Sequence, residues 1–197
     1  DNTSGTIPDD KPESVESARI QRRLDDGVWY FHIKAISQTG VAGVTTHFRI
    51  RIDTKIIKPI VLSPTHPDSE AWYGSPKPQF SWTLNDDLSG ISQIYGEWNN
   101  LSNTTPDKLI DEHLINKNLA TINLSSGVWF FHLMIVDNAG NRSEPVHFKI
   151  QMDAAAPKRP ILVSGTHPNR KWRATSLVDI RWNIRHNLSG ISGYSFM

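Results

Sequence analysis

The chain has 197 residues, with 21 Lys and Arg against 20 Asp and Glu and a formal net charge of +1, so it generates no field that would demand nucleic acid or an anionic membrane as partner. It contains no Cys, which excludes disulfides, Cys-zinc sites and thiol catalysis together. Hydrophobic residues make up 38% of it, enough for small cores, yet no run approaches the roughly 18 apolar residues of a membrane-spanning helix.

The first periodic segment is 28–35, where Trp29, Phe31, Ile33 and Ala35 alternate with Val28, Tyr30, His32 and Lys34. A period of two predicts a β-strand, here entered by a turn at Gly27. "THFRIRI" (46–52) sets Thr46, Phe48, Ile50 and Ile52 against His47, Arg49 and Arg51, one dry and one wet face, the habit of an antiparallel pair. If Ile33 lies opposite Phe48, the outer face gathers Tyr30, His32, Lys34, His47, Arg49 and Arg51. "KPIVLSPTHP" (58–67) reads as a strand closed by a Thr-His-Pro turn, in which His66 is expected to hydrogen-bond backbone nearby. After the aromatic pair Trp72-Tyr73, "PQFSW" (78–82) supplies a strand with Trp82 in the core. A long strand over 128–136 repeats the earlier alternation, "DNAGN" (137–141) has hairpin-loop chemistry, and "FKIQMD" (148–153) returns. "SLVDIRWNI" (176–184) places Val178, Ile180, Trp182 and Ile184 on one face.

These phrases recur. "GVWYFH" at 27 returns as "GVWFFH" at 127, "FRIRID" at 48 as "FKIQMD" at 148, and "LSGIS" at 88 again at 188, while "KPIVLSPTHP" at 58 returns at 159 as "RPILVSGTHP", one residue further on. A period of about a hundred residues exceeds the 20–50 of solenoid units, so each repeat is large enough to own a core. The expected domains are a complete module at 54–153, the later strands of another at 1–53, and the earlier strands of a third at 154–197. The chain reads as a window on a longer protein.

The run Trp129-x-Phe131-x-Leu133-x-Ile135-x-Asp137-Asn138-x-Gly140 resembles the penultimate strand and loop of fibronectin type III and immunoglobulin-like modules, with Trp where many of them place a corner Tyr. The fuller pattern, "THP…W…P.FSW…LSGIS…GVWFFH…D.AGN.S…F.I..D", resembles the tandem Ig-like repeats of large bacterial surface and exported proteins. That resemblance implies an all-β fold of tandem antiparallel β-sandwiches in an extracellular, cell-surface or periplasmic setting, a location toward which the absence of Cys also leans. It implies a non-catalytic stalk, spacer or adhesive binding segment, whose partners are neighbouring modules and a surface protein or glycan. The alternative is a sensor or carbohydrate-binding accessory segment of a receptor or polysaccharide-active enzyme.

Candidate sites are weighed against bland readings. Calcium takes several oxygen ligands, and Asp86, Asp87 and Asp137 could supply them with Asp53 or Asp153. The counterparts of the first three are His186, Asn187 and Ser37, so any such site belongs to the middle repeat, and solvated turns are the favoured reading. His132 and His147, repeating His32 and His47, form a candidate partner-binding or pH-sensitive face. Trp72, Tyr73 and Trp172 are a candidate sugar platform, set against folding back as a lid. Trp29, Trp82, Trp129 and Trp182 are core by phase. No cofactor is expected. No nucleophile elbow, zinc-protease helix or phosphate loop is present, and an enzyme is not expected.

Overall fold

Side chains that alternate with a period of two leave a helix no dry face, and the computed structural model is all-β, with eleven strands and no helix among the described residues. Those residues are 1–13, 19–85, 87–110, 119–168, 170–185 and 188–197. None of their structure includes a helix long and apolar enough to cross a membrane. They group into two compact units, the first comprising Asp1–Ile57, Asn85–Gln93 and Ile135–Ser143, the second Lys58–Leu84, Ile94–Met134 and Glu144–Met197. The loops around 89 and 138 join the first unit because hydrogen bonds tie them to the residues after its last strand, as described below.

In the first unit β1 (Gly27–Ile33) pairs antiparallel with β2 (Thr46–Ile52). Phe31 lies opposite Phe48 and Ile33 opposite Thr46, two residues from the expected Ile33–Phe48 pairing. A shift of two keeps every side chain on its expected face, since strand periodicity is two. The backbone N–H of Tyr30 donates to the Asp1 carbonyl at 2.8 Å, so the N-terminal residue borders the edge of β1.

Most of the second unit is two sheets. β3 (Ile60–Leu62), β5 (Gln79–Thr83) and β7 (Leu119–Thr121) form one in the order β3-β5-β7, and β4 (Trp72–Tyr73), β9 (Val146–Met152), β8 (Gly127–Asp137) and β6 (Ile91–Asn99) form the other in the order β4-β9-β8-β6. β10 (Ile161–Val163) and β11 (Arg181–Asn183) make a separate antiparallel pair. Phe80 on β5 meets Trp98, Phe131 and Phe148 with ring centroids 4.5, 5.0 and 5.5 Å apart, and Trp98 stacks on Phe131 at 4.2 Å. One aromatic cluster thus joins the three-stranded sheet to β6, β8 and β9, each fully buried ring adding roughly 1.5–3 kcal/mol. At Gly96 of β6 a Cβ would lie 2.5 Å from Ile110 Cδ1 and 3.4 Å from Phe131, so glycine there lets neighbouring chain close over the core.

Both long hairpins open at a glycine with positive φ, 146° at Gly27 and 148° at Gly127, a conformation that other residues adopt only under strain. Two residues on, Trp29 Nε1 donates to the Asp25 carbonyl at 2.8 Å and Trp129 Nε1 to the Ser125 carbonyl at 2.9 Å. These indoles are half-buried corner residues that fasten the approach to each strand, not the closed core residues their phase suggested. Trp82 is closed in the core, whereas Trp182 is exposed.

Candidate functional site

The DNAGN loop at 137–141 is organised by its first residue. Asp137 is buried; its Oδ1 accepts from the backbone N–H groups of Ala139 and Asn141 at 2.9 and 2.8 Å, and its Oδ2 from Asn141 Nδ2 at 2.7 Å. That side-chain capture of its own turn is ordinary Asx chemistry. Asn138 then reaches across, its Nδ2 donating to the carbonyls of Ser89 and Gly90 at 2.9 and 3.0 Å, and Asn141 Nδ2 donates to the Asp53 carbonyl at 3.0 Å.

Asp53 receives this assembly from the other side. Its Oδ2 accepts the Ser89 backbone N–H at 2.9 Å, which also points at Asp87 Oδ1 at 3.1 Å. One carboxylate oxygen from each of Asp53, Asp87 and Asp137 lies within 4.8 Å of the others. An oxygen-only set of this kind has the chemistry of a hard divalent cation site, and here the surrounding N–H donors already offset part of the mutual repulsion. Asp86, the remaining calcium candidate, lies outside the described residues. An open depression of about 440 Å³ borders the cluster, lined by Gly27, Arg51, Asp53, Leu88 and Asn138.

The Asp53 contact has a copy: Asp153 Oδ2 accepts the Ser189 backbone N–H at 2.8 Å, across the same 36-residue separation as Asp53 and Ser89. Hydrogen bonding from Ser89 holds the Asp53 carboxyl below the usual carboxylate range, and Ser189 does the same for Asp153. A second contact holds the residue that follows each of these aspartates. Thr54 donates to Asp26 Oδ1 from its N–H at 3.0 Å and its hydroxyl at 2.8 Å, and the Ala154 N–H donates to Ser126 Oγ at 3.1 Å. Asp53 and Asp153 are therefore more than turn starters, because each grips a loop 36 residues onward.

The histidines divide sharply. His132 is buried, not on a wet face, because β8 lies between β9 and β6. Its Nε2 lies 3.0 Å from Asn99 Oδ1 and its Nδ1 2.7 Å from His147 Nδ1. Asn99 Oδ1 can only accept, so neutral His132 carries its proton on Nε2 and its Nδ1 accepts a hydrogen bond from the Nδ1–H of His147. Burial, and then the His147 ring, hold the His132 imidazole below the usual histidine range, against a raising pull from Glu97. In the first hairpin, His32 and His47 make the same contact at 2.6 Å, and Asp1 Oδ1 stands 3.1 Å from His32 Nε2 where Asn99 stands by His132. That placement aligns "DNTSGTIP" from Asp1 with "NNLSNTTP" from Asn99, a further repeated phrase, offset by 98 residues. His147 is exposed.

His66 is buried and structural: its Nδ1 lies 2.8 Å from Thr65 Oγ1 and its Nε2 3.0 Å from the Ser75 carbonyl, as expected of the turn. His167 repeats the arrangement on Thr166 and Thr175. The aromatic candidates separate from one another. Trp72 and Tyr73 pair in parallel with Gln151 and Met152 of β9, and the Tyr73 ring packs 4.4 Å from His66, so they are half-buried sheet residues. Trp172 is fully exposed.

No protein-family model matches the sequence, and no curated protein is detectably similar to it.

Proposed function

We propose that the chain is a non-catalytic stalk or spacer segment of a larger protein that works outside the cytoplasm, built from tandem Ig-like or fibronectin type III-like sandwiches. The observation that carries this reading is the repeated grip of a linker aspartate on the LSGIS loop, Asp53 on Ser89 and Asp153 on Ser189. A spacer must hold successive modules at a set angle, whereas beads on a flexible linker need no such bond. The all-β strand pattern, the hundred-residue repeat and the absence of Cys support the same reading.

With no native thiols, spin labels on Val44→Cys and Ala139→Cys are unique. Pulsed dipolar spectroscopy should give one narrow distance distribution that broadens in Asp53→Ala. A broad distribution indifferent to that substitution would sink the spacer reading. The exposed Trp172 favours a second reading, an accessory segment that stacks on sugars. Polysaccharide binding that Trp172→Ala abolishes would favour it.

A further inference from the structure

His132 and His147 stand directly opposite one another on β8 and β9, as His32 and His47 do on β1 and β2. Opposed side chains on one face are the closest neighbours a strand pair offers. In both hairpins the rings meet Nδ1 to Nδ1, at 2.7 Å in the second and 2.6 Å in the first, with centroids 4.9 Å apart and planes 73° and 75° from parallel. The rear nitrogen of one ring is committed each time, His132 Nε2 to Asn99 Oδ1 and His32 Nε2 to Asp1 Oδ1. An oxygen acceptor behind one imidazole nitrogen fixes the tautomer that points the other nitrogen's lone pair forward, which is how metal-ligating histidines are held. In the middle repeat one side of the pair is rigid and the other open: His132 is buried between β9 and β6, and His147 is exposed. The nearby ammonium groups are paired, Lys149 with Glu70 at 2.9 Å and Lys108 with Glu97 at 3.6 Å, so neither meets an incoming cation with its charge uncompensated.

We propose that His132 and His147, oriented by Asn99, form a two-imidazole site for copper(II), which replaces the proton shared between their Nδ1 atoms. Imidazole nitrogen suits late first-row metals and holds copper(II) most tightly. Geometry selects the same ion. Two imidazoles at adjacent corners of a square, with metal–nitrogen bonds of about 2.0 Å, place their nitrogens about 2.8 Å apart, whereas tetrahedral zinc would set them about 3.3 Å apart. Starting from 2.7 Å, copper asks the exposed His147 ring to move by about 0.1 Å and zinc by about 0.6 Å. On binding, His147 Nδ1 gives up its proton and the ring takes one on Nε2, while His132 keeps its own on Nε2. Both ligands stay neutral and no net proton is released. The one group of three or more His, Asp or Glu ligands among the described residues is the Asp53, Asp87 and Asp137 cluster, so the other corners of the square fall to water. The ion then ties β8 to β9 side chain to side chain, in addition to their backbone ladder.

Copper(II) titration of the full chain tests this, with His47→Gln present throughout so that only one pair is intact. Pulsed electron paramagnetic resonance with an equimolar amount of copper should show the nitrogen modulation of two imidazoles on one ion. Amide-exchange protection of β8 and β9 should rise about tenfold or more with copper and return with a chelator, since a ligand held only by the closed hairpin stabilises it. Adding His147→Gln, a change at an exposed position that should keep the thermal transition, should remove the two-imidazole signal and the added protection together. Asn99→Ala should weaken copper binding by about tenfold or more while keeping that signal, because it frees the His132 tautomer without removing a ligand. A copper spectrum with fewer than two imidazoles would overturn the proposal. So would a two-imidazole signal that survives His147→Gln, or an affinity indifferent to Asn99→Ala.

Discussion

β8–β9 and β1–β2 are written in nearly the same words and paired in the same register, yet one hairpin is the centre of a core and the other lies largely in solvent. Seven consecutive residues of β8, Phe131 to Asp137, are buried on both faces, while β1 has none so enclosed. The hairpin's internal geometry, its glycine entry, corner indole and histidine pair, is therefore local and travels with the phrase. Burial does not travel, because it depends on β5, β6 and the neighbouring loops. β6 also lets β8 run four residues past the point where β1 stops.

The largest test of that comparison is truncation at matched positions. Leu133→Ala should cost about 2–5 kcal/mol in urea unfolding, and Ile33→Ala less than about 0.5 kcal/mol, because only the former leaves a cavity. Equal costs would mean that the terminal hairpin is covered in solution. Next, Gly96→Ala should cost roughly 1–3 kcal/mol, since Ile110 and Phe131 must give way; a silent substitution would show that this wall of the core is loose. Gly27→Ala and Gly127→Ala should each cost about 1 kcal/mol through backbone strain alone, read as reduced amide-exchange protection of the two hairpins. A marked inequality between them would break the claim that entry geometry is local.

A smaller effect follows from His132, which faces His147 and Lys149 on β9 and Glu97 and Asn99 on β6. Its imidazole is held below the histidine value of 6.5, so the unfolded chain takes up a proton before the folded chain does. Its contribution to stability is complete above about pH 6.5 and is lost as pH falls below it. His132→Gln should flatten the urea midpoint between about pH 7.5 and pH 5.5. The smallest effect belongs to Asp53 and Asp153, whose carboxyls are held below 3.8. Their contribution stands above about pH 4 and fades in acid, so Asp53→Asn and Asp153→Asn should each soften acid unfolding slightly.

Strand positions, faces and the DNAGN and Thr-His-Pro turns were legible because periodicity and turn chemistry act within a few residues. The Ile33–Phe48 register that alternation suggests differs by two from the observed one, because alternation constrains parity, not offset. Alternation places His132 on a wet face for a related reason: a sheet's second face is covered by chain that no local pattern announces. Local pattern does not mark Trp98, because Gly96 interrupts the apolar alternation of Ile94 and Trp98 through β6. The joining of Asp87 and Asp137 with Asp53 spans 84 residues and rests on contacts that repetition alone does not show, since the acidic loops are not repeated.

The contacts of Thr54 with Asp26 and of Ala154 with Ser126 each close a loop of the same 28 residues. A chain pulled lengthwise meets these clamps before it meets the hairpins behind them. Once a clamp opens, the load falls on the first pair of the hairpin behind it, Gly27↔Ile52 or Gly127↔Met152, and the roughly 90–100 Å that 28 residues span when extended stays folded until those pairs separate. The two latches differ chemically. The first relies on a carboxylate that Thr54 holds below the usual range, and the second on a neutral hydroxyl. Acid below about pH 4 therefore loosens the first latch and leaves the second unchanged, so the first hairpin meets the load with its entry unguarded while the second keeps its guard.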